Sequence, residues 1–68
     1  MNIHTGMSMR EAVDAARRLG AEVFVLNRTG EYRFAFPGMP HQRANCRRKD
    51  APAPIVVWLK RLRERVTP

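Results

Sequence analysis

The chain has few residues of several kinds, and each scarcity excludes a class of protein. Cys46 is its only cysteine, so no disulfide can form within the chain. Without a Cys/His cluster we expect no structural zinc site and no other cofactor. No apolar run reaches the length of about 18 residues that a membrane span needs, so we expect no membrane association. The N-terminal segment "MNIHTGMSMREA" lacks the apolar core of a signal peptide, and with the free thiol this favours a cytoplasmic protein.

Acidic residues are also scarce, and this scarcity gives the chain its main functional signal. Six Asp and Glu oppose thirteen Lys and Arg, for a net charge of +7 over 68 residues. Eleven of the thirteen are arginine, whose planar guanidinium suits paired contacts to phosphate or carboxylate. So high a positive charge on a small body favours nucleic acid as the partner, with an acidic protein surface as the alternative.

The length predicts a single small domain over residues 1–68, with residues 1–7 as a loose N-terminal lead-in. A chain of this size buries only about 60% of its unfolded surface, so its core is marginal. Oligomerisation is a common remedy, and a homodimer through an exposed strand edge is compatible with the sequence.

The segment "SMREAVDAARRLG" predicts a helix over residues 8–19. Ser8 and Glu11 have the spacing of a capping box, and Gly20 suits the position that ends a helix. The apolar side chains fall on one face at helical spacing: Met9, Ala12, Val13, Ala16 and Leu19. The arginines Arg10, Arg17 and Arg18 fall elsewhere, with Glu11 and Asp14 among them, and we interpret them as a solvated face.

Residues 21–36 predict a β-hairpin with its turn at Gly30. Tyr32, Phe34 and Phe36 alternate along the second strand, and we expect core residues there, with a stacking platform for bases as the alternative. Residues 41–47 predict a third, edge strand with small side chains inward and arginines outward. An ordered loop over 41–49 is the alternative.

The segment "DAPAPIVVWLKRLRERV" predicts a second helix near residues 52–66, with Asp50 as its cap and the prolines in its first turn. Its apolar face comprises Ile55, Val56, Trp58, Leu59, Leu62 and Val66, while Val57 falls on the polar side. The predicted fold is therefore α+β in the order α-β-β-β-α, with two helices packed on one face of a three-stranded antiparallel sheet.

This order is that of the double-stranded-RNA-binding fold, and from Met9 to Leu62 the chain resembles the HicA family of messenger-RNA-cleaving toxins on that fold. The similar parts are the helix ending in "LG", the turn at Gly30, the "FPG" after strand two, and the basic strand leading into the last helix. The family carries its catalytic histidine in a Gly-Ser-His segment at strand two. The matching segment here, "TGEYRFAFPG", has neither serine nor histidine, so the resemblance implies RNA binding without cleavage.

The candidate contact residues are basic and surround the third strand. We expect a nucleic acid to meet Arg43, Arg47, Arg48 and Lys49, together with Arg28 and Arg33 of the hairpin, through phosphate contacts. A solvated charged edge is the alternative interpretation of the same run.

The pair His41 and Cys46 is a weak candidate for catalysis. It lacks an orienting third group, and five residues apart on a strand the two side chains point to opposite faces. We expect Cys46 to be a small buried residue.

Two functions remain open at this point. One is a small basic nucleic-acid-binding module, RNA-directed and non-catalytic. The other is a protein-interaction factor, such as a toxin–antitoxin component or a phage-type inhibitor, whose basic face docks an acidic partner.

Overall fold

The computed structural model describes residues 2–67 and has the predicted order of elements. Helix α1 (Met9–Arg18) precedes strands β1 (Glu22–Leu26), β2 (Glu31–Ala35) and β3 (Gln42–Asn45), and helix α2 (Ala53–Val66) follows them. The strands form one antiparallel sheet in the order β1-β2-β3. The α+β prediction is confirmed. Of residues 41–49, for which the sequence allows a strand or a loop, Gln42–Asn45 forms β3 and the residues after Asn45 form a loop.

Helix α1 begins and ends through local hydrogen bonds that its sequence encodes. The Glu11 backbone N–H donates to the Ser8 hydroxyl oxygen at 3.0 Å, and the Ser8 N–H donates to the Glu11 carboxylate at 3.1 Å, which is the predicted capping box. At the other end Gly20 adopts φ +94°. The Ala21 N–H then donates to the Ala16 carbonyl at 2.9 Å, the bonding pattern of a Schellman C-cap.

The sheet has one face under the helices and one face open. Phe34 and Ala44 lie directly under the helix layer and are buried. Because side chains alternate along a strand, the neighbouring Arg33 and Arg43 belong to the other face, where they are cross-strand partners. Phe24 on β1 is the partner of Arg33 on its other side, so these three side chains form one row across the open face.

The core is centred on Phe34 and Trp58. Phe34 is fully buried, and its ring meets the Trp58 ring edge-on with centroids 5.8 Å apart. The Trp58 indole N–H donates to the Pro40 carbonyl at 2.7 Å, which satisfies its one polar atom. Tyr32 and Phe36 are half-buried against the same cluster. The prediction that this aromatic strand and Trp58 belong to the core is confirmed.

The start of helix α2 differs from expectation. Pro52 is the N-cap residue and no side chain caps the helix, so the prediction that Asp50 caps it is wrong. Asp50 instead forms an antiparallel bridge with Ser8. The Ala51 N–H donates to the Met7 carbonyl at 3.0 Å. Pro54 lies in the first turn, where a missing N–H costs little.

The N-terminal lead-in is more ordered than predicted. Ile3 and Met7 are buried in the core cluster, at 5% and 1% exposure. The two apolar side chains flank a turn around Gly6, and the Met7 N–H donates to the His4 carbonyl at 3.2 Å. Ile3 and Met7 of the lead-in therefore contribute to the core, and Met1 lies outside the described residues. Between residues 2 and 67, no helix is long and apolar enough to cross a membrane.

Candidate nucleic-acid interface

The loop after β3 carries three of the predicted contact residues and is fixed by its own backbone. The Arg47 N–H donates to the Asn45 side-chain oxygen at 2.8 Å, and the Arg48 N–H donates to the Asn45 carbonyl at 3.3 Å. The Cys46 N–H donates to the Gly30 carbonyl at 2.7 Å, which ties this loop to the β1–β2 turn. Arg28 belongs to that turn and is exposed. Arg28, Arg47 and Arg48 therefore lie at the same end of the sheet.

The same loop is joined to the start of helix α1, and an open groove lies between them. The Met9 N–H donates to the Lys49 carbonyl at 2.7 Å. The groove has a volume of about 760 Å³ and includes side chains of α1, of β2 and of the loop. Its lining residues are Ser8, Met9, Arg10, Glu11, Val13, Asp14, Arg17, Tyr32, Cys46, Arg48 and Lys49. We call this surface the basic groove.

The cations of the basic groove exceed its carboxylates. Four of its lining residues are basic, namely Arg10, Arg17, Arg48 and Lys49, and all four are exposed. Within residues 2–67 none of the four forms a salt bridge, since Asp14 pairs at 3.1 Å with Arg18. Arg17 makes only a long hydrogen bond of 3.5 Å to the Val23 carbonyl. The groove therefore presents a net positive charge, with four cations against the carboxylates of Glu11 and Asp14.

Glu11, the other carboxylate of the basic groove, is engaged at the helix cap. The Ser8 backbone N–H donates to the Glu11 carboxylate and, with the Ser8 hydroxyl contact, lowers the pKa of Glu11 below its ordinary value of 4.5. The carboxylate is therefore ionised at neutral pH, but its geometry is set by the cap. Glu11 moderates the positive potential of the groove without pairing with an arginine.

Tyr32 and Cys46 give the groove an uncharged floor. Both are half-buried, and the Tyr32 ring packs edge-on against Phe34 with centroids 6.5 Å apart. Tyr32 therefore belongs to the core on one side and to the groove on the other. The prediction that Cys46 is buried is wrong: the residue is only half-buried, because it lines the groove just after the end of β3.

The predicted contact residues divide between two surfaces. Arg48 and Lys49 line the basic groove, and Arg28 and Arg47 occupy exposed loops at that end of the sheet. Arg33 and Arg43 lie on the open sheet face, away from the helices. The predicted edge that presents Arg43 together with the loop residues is therefore divided, because β3 ends at Asn45 and the loop that follows it joins the start of α1.

Two lining residues of the basic groove were assigned to a solvated helix face by sequence. Arg10 and Arg17 both contribute to the groove, whereas the adjacent Arg18 pairs with Asp14. Arg10 and Arg17 are seven residues apart, which places them on the same side of a helix two turns apart. That spacing was the available signal, and it distinguishes them from Arg18.

His41 and Cys46 do not form a site together. His41 lines a separate cavity at the far end of the open face, beside Phe24 and Phe36, while Cys46 lines the basic groove. Among residues 2–67 no group of three metal-ligating side chains occurs.

Comparisons of the chain with protein-family models, with curated proteins and with solved structures found no match.

Proposed function

We propose that this protein is a small, non-catalytic nucleic-acid-binding module and that the basic groove is its main contact surface. The observation that carries the proposal is the convergence of four exposed cations from two separate segments. Arg10 and Arg17 come from α1, and Arg48 and Lys49 come from the loop after β3. The backbone hydrogen bond from Met9 to Lys49 joins these two segments, so their cations line one groove.

The electrostatics of the groove favour a polyanion over a single anionic group. Bringing like charges together costs free energy, and a regularly charged backbone relieves that repulsion at several points. Each phosphate that a cation neutralises also releases condensed counterions, which drives binding without sequence readout. The flanking Arg28 and Arg47, exposed at the same end of the sheet, extend the positive surface beyond the groove.

We propose more specifically that the nucleic acid is RNA. Its support is the α-β-β-β-α order together with the HicA-like segments named above, since that fold is used for double-stranded RNA. The "TGEYRFAFPG" segment lacks the Gly-Ser-His residues of the cleaving members, which supports binding without cleavage.

The test is the salt dependence of affinity for duplex RNA and duplex DNA. The variant Arg48→Gln/Lys49→Gln removes two groove cations, and Lys60→Gln/Arg61→Gln removes the same charge from exposed positions of α2 outside the groove. On B-DNA each lost phosphate contact reduces the slope of log affinity against log salt by about 0.9. We expect the groove variant to lose about 1.8 in slope and the α2 variant much less.

Equal effects of the two double variants would contradict the assignment of the groove, because net charge alone would then explain binding. Tighter binding to duplex RNA than to duplex DNA at matched salt supports the RNA form. Cleavage of the bound RNA by the purified wild-type protein contradicts the non-catalytic form.

The second candidate, docking of an acidic protein, is favoured by the surface of α2. Val57 is 48% exposed there and lines a shallow cavity with Pro54 and Arg61. An apolar side chain beside a cation suits a partner with mixed apolar and acidic residues. A wild-type protein that binds no nucleic acid at physiological salt would make this candidate the leading one.

A further inference from the structure

The open face of the sheet carries an aromatic ring and two arginines in one cross-strand row. Phe24, Arg33 and Arg43 are register partners on β1, β2 and β3. This face is separated from the basic groove by the sheet itself, since the groove reaches Tyr32 on the helix side. The row is therefore a second surface that the proposed function does not use.

The pairing of Arg33 with Arg43 is unfavourable in the isolated protein. Like charges directly opposite in an antiparallel pair are destabilising, and within the described part of the chain neither guanidinium forms a salt bridge. Arg33 is half-buried, and its Nε is shielded from water without a hydrogen-bond partner among residues 2–67. Glu31 lies on the same face two residues before Arg33, but within the described part of the chain it forms no salt bridge with either arginine. A phosphate fits such a pair because it can accept from both guanidinium groups and relieve their repulsion.

Phe24 supplies the other half of a nucleotide site. Its ring is 44% exposed although it lies within a strand, and it is the only exposed aromatic side chain among the described residues. It borders a cavity of about 600 Å³ that also includes Ala35, Pro37 and His41. An exposed ring beside an open, partly apolar hollow is a surface on which a planar base can stack.

We propose that the open face binds an unpaired nucleotide of a single strand, with the base stacked on Phe24 and a phosphate held by Arg33 and Arg43. A duplex does not satisfy this site, because its base faces are stacked on one another. A second copy of this chain supplies no phosphate for Arg33 and Arg43. The ligand is therefore a single-stranded segment, and this surface is additional to the basic groove.

The test uses a short single-stranded oligonucleotide containing the fluorescent base 2-aminopurine, with a duplex of the same sequence as comparison. Stacking on Phe24 quenches 2-aminopurine. The variant Phe24→Leu keeps an apolar side chain but loses the ring, and Phe24→Tyr keeps a ring. Loss of one stacked base weakens binding by roughly ten- to hundredfold. We expect Phe24→Leu to lose the quenching and weaken single-strand binding by that factor, and Phe24→Tyr to retain both.

The contribution of the arginines to this site is tested with a second pair of variants. Arg43→Gln removes one cation from the row, and Arg61→Gln removes one cation from α2. Both arginines are exposed. We expect Arg43→Gln to weaken single-strand binding more than Arg61→Gln does. Arg43 is exposed, so this variant also tests the proposal if Phe24→Leu fails to show a cooperative melting transition.

The outcomes separate this proposal from the function proposed for the basic groove. Unchanged quenching and affinity in Phe24→Leu, or equal effects of Arg43→Gln and Arg61→Gln, overturn the open-face site while leaving the groove intact. Loss of single-strand binding in Phe24→Leu with no effect of Arg48→Gln/Lys49→Gln on the duplex supports the open-face site and contradicts the groove. A wild-type protein that binds neither oligonucleotide overturns both.

Discussion

At the scale of single residues, Trp58 decides how the second helix meets the sheet. It is 3% exposed, it packs edge-on against Phe34, and its indole N–H is satisfied by the Pro40 carbonyl. The hydrogen bond also fixes the chain between β2 and β3, so one side chain links α2, the sheet and a connecting loop.

We expect Trp58→Ala to lower the free energy of unfolding by roughly 3–5 kcal/mol, the usual cost of removing a large buried aromatic. A small domain has about that much stability in total, so the variant should be largely unfolded at room temperature. Chemical denaturation followed by far-UV circular dichroism measures this. The control is Val57→Ala, one position away but 48% exposed, and equal denaturation midpoints for the two variants would contradict the role given to Trp58.

Two adjacent arginines have different surroundings and should behave differently. Arg17 lines the basic groove, while Arg18 does not line it and pairs with Asp14. Each change to glutamine removes the same charge at neighbouring helical positions, so helix propensity and net charge are matched. We expect Arg17→Gln to weaken duplex binding several-fold and Arg18→Gln to leave it nearly unchanged, as measured by fluorescence anisotropy at fixed salt. The reverse order would place the contact surface on the side of α1 that carries Arg18.

At the scale of elements, the capping box makes the stability of helix α1 depend on pH. The pKa of Glu11 is lowered in the folded protein by its hydrogen bonds from Ser8. A carboxyl with a lowered folded pKa stabilises the fold above its unfolded pKa and loses that contribution as pH falls through the folded value. The cap therefore contributes fully at neutral pH and progressively less below about pH 4.5, the ordinary value for this carboxyl.

We expect Glu11→Gln to have a lower melting temperature than the wild type at neutral pH, because glutamine accepts the same hydrogen bonds without charge assistance. The difference should shrink as pH falls below about 4.5, where the wild-type carboxyl also becomes neutral. Thermal unfolding of both proteins over a pH series measures the difference in melting temperature. The other carboxyl groups are the same in both proteins, so their titration cancels in this difference. A difference that does not change with pH would show that the ionised carboxylate does not support the cap.

Helices and strands could be predicted from the sequence where nearby residues determine them, whereas the basic groove could not, because it forms between segments that are distant in the chain. Ser8, Glu11 and Gly20 encode α1 within a short window, and the alternation around Phe34 encodes β2. Asp50 has a capping side chain, but its backbone pairs with Ser8 instead, a contact between segments that no local pattern shows. The basic groove likewise depends on how α1 lies beside the loop after β3, so the seven-residue spacing of Arg10 and Arg17 became informative only with that contact known.

At the scale of the whole molecule, positive charge opposes folding and favours binding. The net charge is +7, and the described residues contain a single salt bridge, Asp14–Arg18, which is exposed. Surface pairs of that kind contribute little, so repulsion dominates the electrostatics of the folded state. Like charges are brought together at the basic groove and at the Arg33–Arg43 pair, the two surfaces proposed to bind phosphates.

We therefore expect the melting temperature to rise with salt from about 0.01 M to about 0.5 M, as the Debye length shrinks from about 30 Å and repulsion is screened. A protein held together by ion pairs would show the opposite trend.

Arg43→Gln should raise the melting temperature most at low salt, because it removes a like-charge pair worth about 0.2–1 kcal/mol. Lys60→Gln, which removes one charge from α2, is the matched control. Differential scanning fluorimetry across a sodium chloride series measures both effects, and a melting temperature that falls with salt would show that attraction prevails. Because screening weakens phosphate binding over the same range, the unliganded protein should be most stable at the salt concentrations where its affinity for nucleic acid is lowest.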